Sequence, residues 1–226
     1  IYVGDNTTPY TSLADAFAAV SDSNSEDNSL TSVFIQGNLE INSSIEVSAN
    51  KRIALLPIGD VTIKRAAGFA EDMFTVNGIL KMGGSVQDSD GKAIEGALTI
   101  DGSGDGVTGS IVKIISGQYG LSAGTTLTGN KTTGNGGAIN VAEGAEAWLL
   151  GGTITGNSAT VGGGIYSEGT VKLQGSVSVS DNTDITSSEI PSNITLGKKS
   201  MISVTGAVSA SEIGVSVTEP TDKRPV

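Results

Sequence analysis

Three features of the sequence predict an all-β chain that winds into a solenoid around a narrow core. The segment TLTGN at 126–130 returns as TITGN at 153–157, and a glycine corner with an isoleucine follows each copy, at 136–139 and 162–165. A repeat of about 27 residues is typical of stacked supersecondary units. Glycine contributes 32 of the 226 residues, roughly twice ordinary usage, and aromatic residues only 4%. Apolar and polar residues alternate in short runs, as strands with one buried face require.

Composition excludes several classes of function. The net charge of −11 argues against nucleic-acid binding and against adhesion to anionic lipid. The chain has no cysteine and no histidine, so it lacks disulfides, thiolate nucleophiles, the usual zinc ligands and the commonest general base. No run of about 18 apolar residues is present, so we expect no membrane insertion.

One amphipathic helix is predicted near the start of the chain, at about 11–21, with Thr11 or Ser12 as its N-cap. Four apolar residues fall at i, i+3, i+4 and i+7 on one face: Leu13, Ala16, Phe17 and Val20. Such a helix would cover the open end of the solenoid core, which otherwise exposes a free strand edge.

About seven rungs are expected from about residue 31 onward. Runs near 33, 53 and 73 predict the first three rung starts, and those near 111, 139 and 165 predict three more; a last coil is expected from 193. An insertion at 83–109 interrupts the third rung. We expect a β-helix domain over 1–217 and a linker over 218–226, rich in proline and charge.

Glycine and asparagine in the repeat have a structural interpretation. The glycines at 136–137, 151–152 and 162–164 fall where the chain must turn sharply between strands. Asn130, Asn157 and Asn182 recur 27 and 25 residues apart, which predicts a ladder of side-chain amides between coils. A polar row that binds a ligand is the alternative.

These motifs resemble a known family. The TLTGN and TITGN runs, with GGAI at 136–139, resemble the repeats of bacterial surface proteins with a right-handed parallel β-helix, the pectate-lyase-like superfamily fold. GGAI is also similar to the repeat of polymorphic outer-membrane adhesins. The segment 197–215 is similar to the closing coil of repeat-rich surface proteins of gut Firmicutes. The resemblance implies a single-stranded, right-handed helix, secretion, and display on a bacterial cell surface within a longer polypeptide.

The superfamily also includes polysaccharide lyases and hydrolases. Lyases pair a basic residue with calcium-binding acids, but Arg52 and Arg65 flank strands beside no evident acidic cluster. Hydrolases use neighbouring carboxylates, for which Asp88, Asp90, Asp101 and Asp105 are the candidates. Aspartates in Gly/Ser-rich loops are more often turn residues, so we expect no catalysis. Asp101 and Asp105 could instead bind calcium on a glycine loop, although the spacing lacks the EF-hand pattern.

The few aromatic residues are the best candidates for ligand contacts. In one alignment of neighbouring coils, Trp148 faces outward beside Lys172, as a platform on which a sugar could stack. A register shifted by one residue would place Trp148 in the core. Tyr166 is a third candidate contact residue.

Three hypotheses of function remain after this reasoning. The first is a non-catalytic, monomeric module of a surface adhesin, which binds a host or microbial glycan or a surface protein, or acts as a stalk. The alternatives are a polysaccharide lyase or glycoside hydrolase, and a trimeric fibre segment like a phage tailspike. We expect function at the insertion 83–109 or on the outer face around Trp148, because turning and stacking explain the repeat residues.

Overall fold

The chain forms a parallel β-solenoid of about six turns. The computed structural model describes residues 1–4, 8–23, 29–87, 93–94, 96–104, 106–209 and 213–218. The predicted all-β solenoid is therefore confirmed.

The helix and strands follow one another along the successive coils. The N-terminal segment and the first two coils contain β1 (Tyr2–Val3), α1 (Leu13–Ala19), β2 (Thr31–Ile35), β3 (Leu39–Ile41), β4 (Ile45–Val47), β5 (Arg52–Pro57), β6 (Val61–Arg65) and β7 (Phe74–Val76). The third and fourth coils contain β8 (Ile79–Met82), β9 (Val86–Gln87), β10 (Ala93–Ile94), β11 (Leu98–Asp101), β12 (Val112–Ile114), β13 (Gln118–Leu121), β14 (Thr125–Thr128), β15 (Lys131–Asn135) and β16 (Ile139–Val141). The remaining strands are β17 (Glu146–Thr155), β18 (Ser158–Val161), β19 (Ile165–Ser167), β20 (Thr170–Ser180), β21 (Thr183–Asp184), β22 (Ser187–Pro191), β23 (Ile194–Leu196), β24 (Met201–Val208) and β25 (Val215–Val217).

Strands from successive coils pair in parallel and build the sides of the solenoid. The first side runs from β2 through β5, β8, β13, β17 and β20 to β24. The second side runs from β3 through β6, β11 and β14 to the later halves of β17 and β20. The third runs from β4 through β7, β12, β16, β19 and β23 to β25, and a short fourth sheet joins β15, β18, β21 and β22. Because the coils stack in register, each outward position forms a row along the solenoid axis.

Inward-facing residues stack into continuous apolar columns. One column on the second side consists of Ile63, Ile100, Leu127, Ile154 and Val179, all fully buried. The core holds few aromatic side chains, which agrees with the composition. Alternate residues of the same strands face outward.

The predicted helix cap is confirmed. The Ser12 hydroxyl accepts a hydrogen bond from the Asp15 backbone N–H at 3.1 Å and so caps α1. Leu13, Ala16 and Phe17 are buried in the core, and Val20 is only 1% exposed. The helix packs against β4, and β1 pairs antiparallel with β2, so both elements cover the first coil.

The predicted starting position of the third coil is wrong. The run at 73 does not begin the third coil, because Phe74 of β7 pairs with Ile45 of β4 on the third side. The third coil begins at β8, where Ile79 pairs with Arg52. Strands on different sides share the same alternating pattern, so the pattern alone does not distinguish them. Ile139 and Ile165 are in register as expected, but they also lie on the third side rather than at coil starts.

The end of the chain also differs from the expected seven rungs. Strands β24 and β25 add part of a seventh coil to the described solenoid. In the insertion at 83–109, the short strands β9 and β10 pair antiparallel before β11 rejoins the second side. Residues 219–226 of the predicted linker lie outside the described residues.

The predicted asparagine ladder is confirmed, and it extends by one residue. Asn130, Asn157 and Asn182 are each fully buried. The backbone N–H of Asn130 donates to Asn157 Oδ1 at 3.1 Å, and that of Asn157 donates to Asn182 Oδ1 at 3.1 Å. Asn182 donates in turn to Asn193 Oδ1, at 3.2 Å from its backbone N–H and 3.0 Å from Nδ2. Full burial makes the ladder structural and excludes the alternative of a ligand-binding row.

Arg65 closes the N-terminal end of this ladder. Its side chain is 1% exposed, and Nη2 donates to Asn130 Oδ1 at 3.3 Å. The guanidinium also donates to the backbone carbonyls of Gly102, Phe69, Glu71 and Ser110. Burial lowers the pKa of Arg65 to about 10, and the negative charge of Asp72 opposes this shift. The cation of Arg65 therefore satisfies backbone carbonyls in the coils that precede Asn130, where the described ladder contains no asparagine.

Glycine at 137 is required by the close approach of neighbouring coils. A Cβ atom there would lie 2.0 Å from the carbonyl oxygen of Gly163 in the next coil. Its neighbour Gly136 has a φ of 70°, in the left-handed region that glycine adopts without steric cost. The glycine pair thus lets the chain turn and lets the coils pack.

We predict that Gly137→Ala lowers the free energy of unfolding by about 3 kcal/mol, because overpacking forces the coils apart. Urea denaturation measures the change. Gly120→Ala is the matched control, because its Cβ would meet no atom closer than 3.5 Å. We expect the control to change stability by less than about 0.5 kcal/mol. Equal effects of the two variants would contradict this explanation.

We further predict that Asn157→Ala destabilises the protein by on the order of 3 kcal/mol, because it leaves buried backbone groups without partners. Among them are the Asn130 N–H and the carbonyl of Leu127. Asn140→Ala is the control, since the amide of Asn140 donates at the surface to the Asn135 carbonyl. Thermal and urea unfolding of both variants test the ladder, and a neutral Asn157→Ala would refute its structural role.

Candidate ligand-binding site

Trp148 lies on the outer face of the first side. It pairs in register with Lys172 of the next coil, while its neighbours Ala147 and Leu149 are fully buried. The side chain of Trp148 is half-buried. The structure thus decides between the two registers that the sequence left open, and it confirms the outward one.

Trp148 is held by polar contacts on the protein surface. Lys172 Nζ lies 4.1 Å from the centroid of the ring, in a cation–π contact. The indole Nε1 donates to Glu146 Oε2 at 2.8 Å, and Lys172 forms an ion pair with Glu146 Oε1 at 2.8 Å. Gln118 Nε2 also donates to Glu146 Oε2, at 3.1 Å. We call Gln118, Glu146, Trp148 and Lys172 the tryptophan cluster.

Glu146 is the electrostatic centre of the tryptophan cluster. The hydrogen bond from Lys172 is the main cause that lowers the pKa of Glu146, and the hydrogen bonds from Trp148 and Gln118 act in the same direction. Partial burial opposes them. Glu146 therefore neutralises Lys172 locally, so Lys172 orients the indole ring rather than offering a free charge to a ligand.

A shallow depression of about 150 Å³ lies beside Trp148. Its lining comes from β8, β13 and β17 and from Leu30 before β2, and it includes Ile79, Lys81, Gly120 and Trp148. Lys172 is on β20 and does not line it. The depression is therefore on the β13 side of Trp148, and the cation–π contact is on the β20 side.

Tyr166 does not join the tryptophan cluster. It lies on β19 of the third side, in register with Asn140 and Thr195. Its hydroxyl donates to Glu168 Oε1. Burial, this hydrogen bond and the charge of Glu168 together raise the pKa of Tyr166 to about 12. The structure therefore separates Tyr166 from the other two predicted contact residues, which belong to the first side.

Asp101 is a turn residue at the end of β11. Its Oδ1 accepts a hydrogen bond from the Ser103 backbone N–H at 2.9 Å and another from the Ser103 hydroxyl. Asp105, Asp88 and Asp90 lie outside the described residues. Across the described part of the chain, no group of three or more Asp or Glu side chains could hold a metal ion. The calcium site therefore stays a prediction.

Four residues of the site were missed from the sequence. Glu146 could have been found, because it lies two residues before Trp148 on one strand and so shares its face. Gln118 and Gly120 could also have been found, because they pair with Glu146 and Trp148 at an offset of 28 residues, the spacing of the runs at 111 and 139. Lys81 could not, because its pairing with Gly120, 39 residues later, crosses the insertion.

Comparison of the chain with models of protein families, with curated proteins and with solved structures finds no match. In the residues that the structure describes, no helix is long and apolar enough to cross a membrane. The class of protein is therefore defined by the fold, a parallel β-solenoid with a tryptophan cluster on one outer face.

The lowered pKa of Glu146 predicts a pH dependence of the tryptophan cluster. A depressed carboxyl pKa stabilises the folded state above the ordinary value of 4.5, and this contribution is lost as the pH falls through the lowered value. Trp148 is the only tryptophan. Its fluorescence emission should therefore change with a midpoint below pH 4.5 while the fold persists. Glu146→Gln should abolish the transition, and an unchanged transition in that variant would contradict the assignment.

Proposed function

We propose that this chain is a non-catalytic β-solenoid module of a secreted, cell-surface bacterial protein, and that it binds carbohydrate through Trp148. The observation that carries the proposal is the outward, half-buried indole, fixed by Glu146 and Lys172. Sugar rings present apolar C–H faces that pack on aromatic rings, and an immobilised ring loses little conformational freedom on binding.

The solenoid supports a role in display. Stacked strands are spaced by about 4.8 Å, so six turns give a stiff rod on the order of 30 Å long. A site on the side of such a rod stays open to ligands when the rod is part of a longer surface protein. Location at the bacterial cell surface rests on the resemblance of the repeats.

The enzyme alternative receives no support from Arg65. A lyase needs a basic residue that reaches its substrate, but the guanidinium of Arg65 is buried and donates to interior carbonyls and Asn130. The candidate hydrolase residues Asp88, Asp90 and Asp105 lie outside the described residues. We keep the binding module as the proposed function because the outward Trp148 supports it.

Tryptophan fluorescence tests the proposal directly, because the chain has a single indole. Glycans that the protein retains on an array are titrated against it, and their binding should change the emission of Trp148. Trp148→Ala should weaken binding at least about tenfold, measured by calorimetry, as expected for an aromatic residue that dominates an interface. Tyr166→Phe is the control, because it removes only the hydroxyl bonded to Glu168.

Two results would contradict the proposed function. The first is retention of a glycan with the same affinity by Trp148→Ala. The second is turnover of a polysaccharide that persists in Trp148→Ala and disappears in Asp101→Ala, which would favour the hydrolase or lyase alternative.

A further inference from the structure

We propose that the depression beside Trp148 takes a terminal acidic sugar, whose ring packs against Trp148 above Gly120 and whose carboxylate pairs with Lys81. This inference rests on the proposed carbohydrate binding and specifies its ligand class. Three observations carry it: the gap at Gly120, the charge on Lys81 and the size of the depression.

Gly120 leaves a gap in an outward row of side chains. Lys81, Gly120 and Trp148 are in register on β8, β13 and β17. The Cα atoms of Lys81 and Trp148 are therefore two strand spacings apart, about 10 Å, with no side chain between them. Between these two outward positions the surface is bare backbone at Gly120.

Packing does not require glycine at this position. A Cβ atom on Gly120 would meet Lys81 Cγ at 3.5 Å and nothing closer, which is ordinary contact. Its φ is outside the left-handed region, and glycine in the interior of a strand weakens the strand. The gap is therefore a feature of the surface and not a consequence of how the coils stack.

Lys81 provides a charge that the described protein does not neutralise. It forms no ion pair with any residue that the structure describes, whereas Lys172 is paired with Glu146 at 2.8 Å. Although the chain as a whole carries a net charge of −11, a cation with no ion-pair partner among the described residues, next to the half-buried indole, is locally complementary to an anionic ligand. The carboxylate of an acidic sugar is an anionic group with which Lys81 would pair beside a sugar-sized gap.

The dimensions favour one ring at the end of a glycan. The depression has a volume of about 150 Å³, and apolar side chains of Leu30, Ile79 and Leu150 form part of its lining. Its lining runs across β8, β13 and β17 and also includes Leu30, which precedes β2, and a volume of this size holds about one sugar ring. The pyranose ring of a terminal residue such as a sialic acid matches this size, with its apolar face toward Trp148 and its side chain and N-acetyl group outside the depression.

The test uses three probes that differ in the sugar acid: sialyllactose, its methyl ester and lactose. We expect the whole chain to bind sialyllactose at least about tenfold more tightly than the neutral ester or lactose, measured by calorimetry and by Trp148 emission. Lys81→Gln should remove this preference. Lys64→Gln is the charge-matched control, because Lys64 faces outward on β6 of the second side. Raising the ionic strength should weaken only the binding of the acid.

Gly120→Val tests the position of the sugar. It should fill the gap and abolish binding of all three probes, while circular dichroism and thermal unfolding show that the solenoid is intact. Gly120→Ala, which fits without a clash, should weaken binding by a smaller factor.

The outcomes separate the two proposals. Equal binding of acidic and neutral probes, with loss of binding in Trp148→Ala and none in Lys81→Gln, overturns the acidic specificity and leaves carbohydrate binding intact. Unchanged binding of sialyllactose by Gly120→Val overturns the assigned position. Failure of every glycan on the array to bind overturns the proposed function and this inference with it.

Discussion

The polar column formed by the buried residues Arg65, Asn130, Asn157 and Asn182, with the half-buried Asn193 at its end, is the constraint on which the structure depends. A narrow solenoid core brings backbone N–H and C=O groups at the corners into the interior, where water does not reach them. The amides of Asn130, Asn157 and Asn182 donate to such carbonyls, and the amide oxygen of each accepts a hydrogen bond from the preceding member of the column. A shift of one residue between paired strands would break this column and would turn the inward side chains of the shifted strand outward. The column therefore fixes the register of the coils.

Register in turn determines what the outer face presents. The same pairing that stacks Leu149 on Leu173 inside the solenoid sets Trp148 beside Lys172 outside it. On the other flank it sets Trp148 next to Gly120. The scaffold and the candidate site are therefore separate sets of residues on shared strands. Ligand specificity can change through the outward set while the column and the glycine corners stay unchanged.

The sequence predicts the solenoid, the helix cap and the ladder, since each leaves a local or strictly periodic signal. It does not predict the phase of the early coils, because β7 and β5 carry the same alternation on different sides. The role of Arg65 is also not predicted, because the repeat of asparagines does not indicate that an arginine occupies the end of the ladder. Trp148 and Lys172 are found because only 24 residues and no insertion separate them, whereas the insertion between Lys81 and Gly120 prevents an alignment of Lys81 with the later coils.

A crystal structure of the protein with sialyllactose tests the central claim most directly, namely that the stacked column fixes a register that exposes a sugar site. The account predicts density for one sugar ring above Gly120, between Lys81 and Trp148, with the asparagine column continuous beneath the surface. Trp148 packed in the core, or a sugar bound elsewhere on the solenoid, would contradict it.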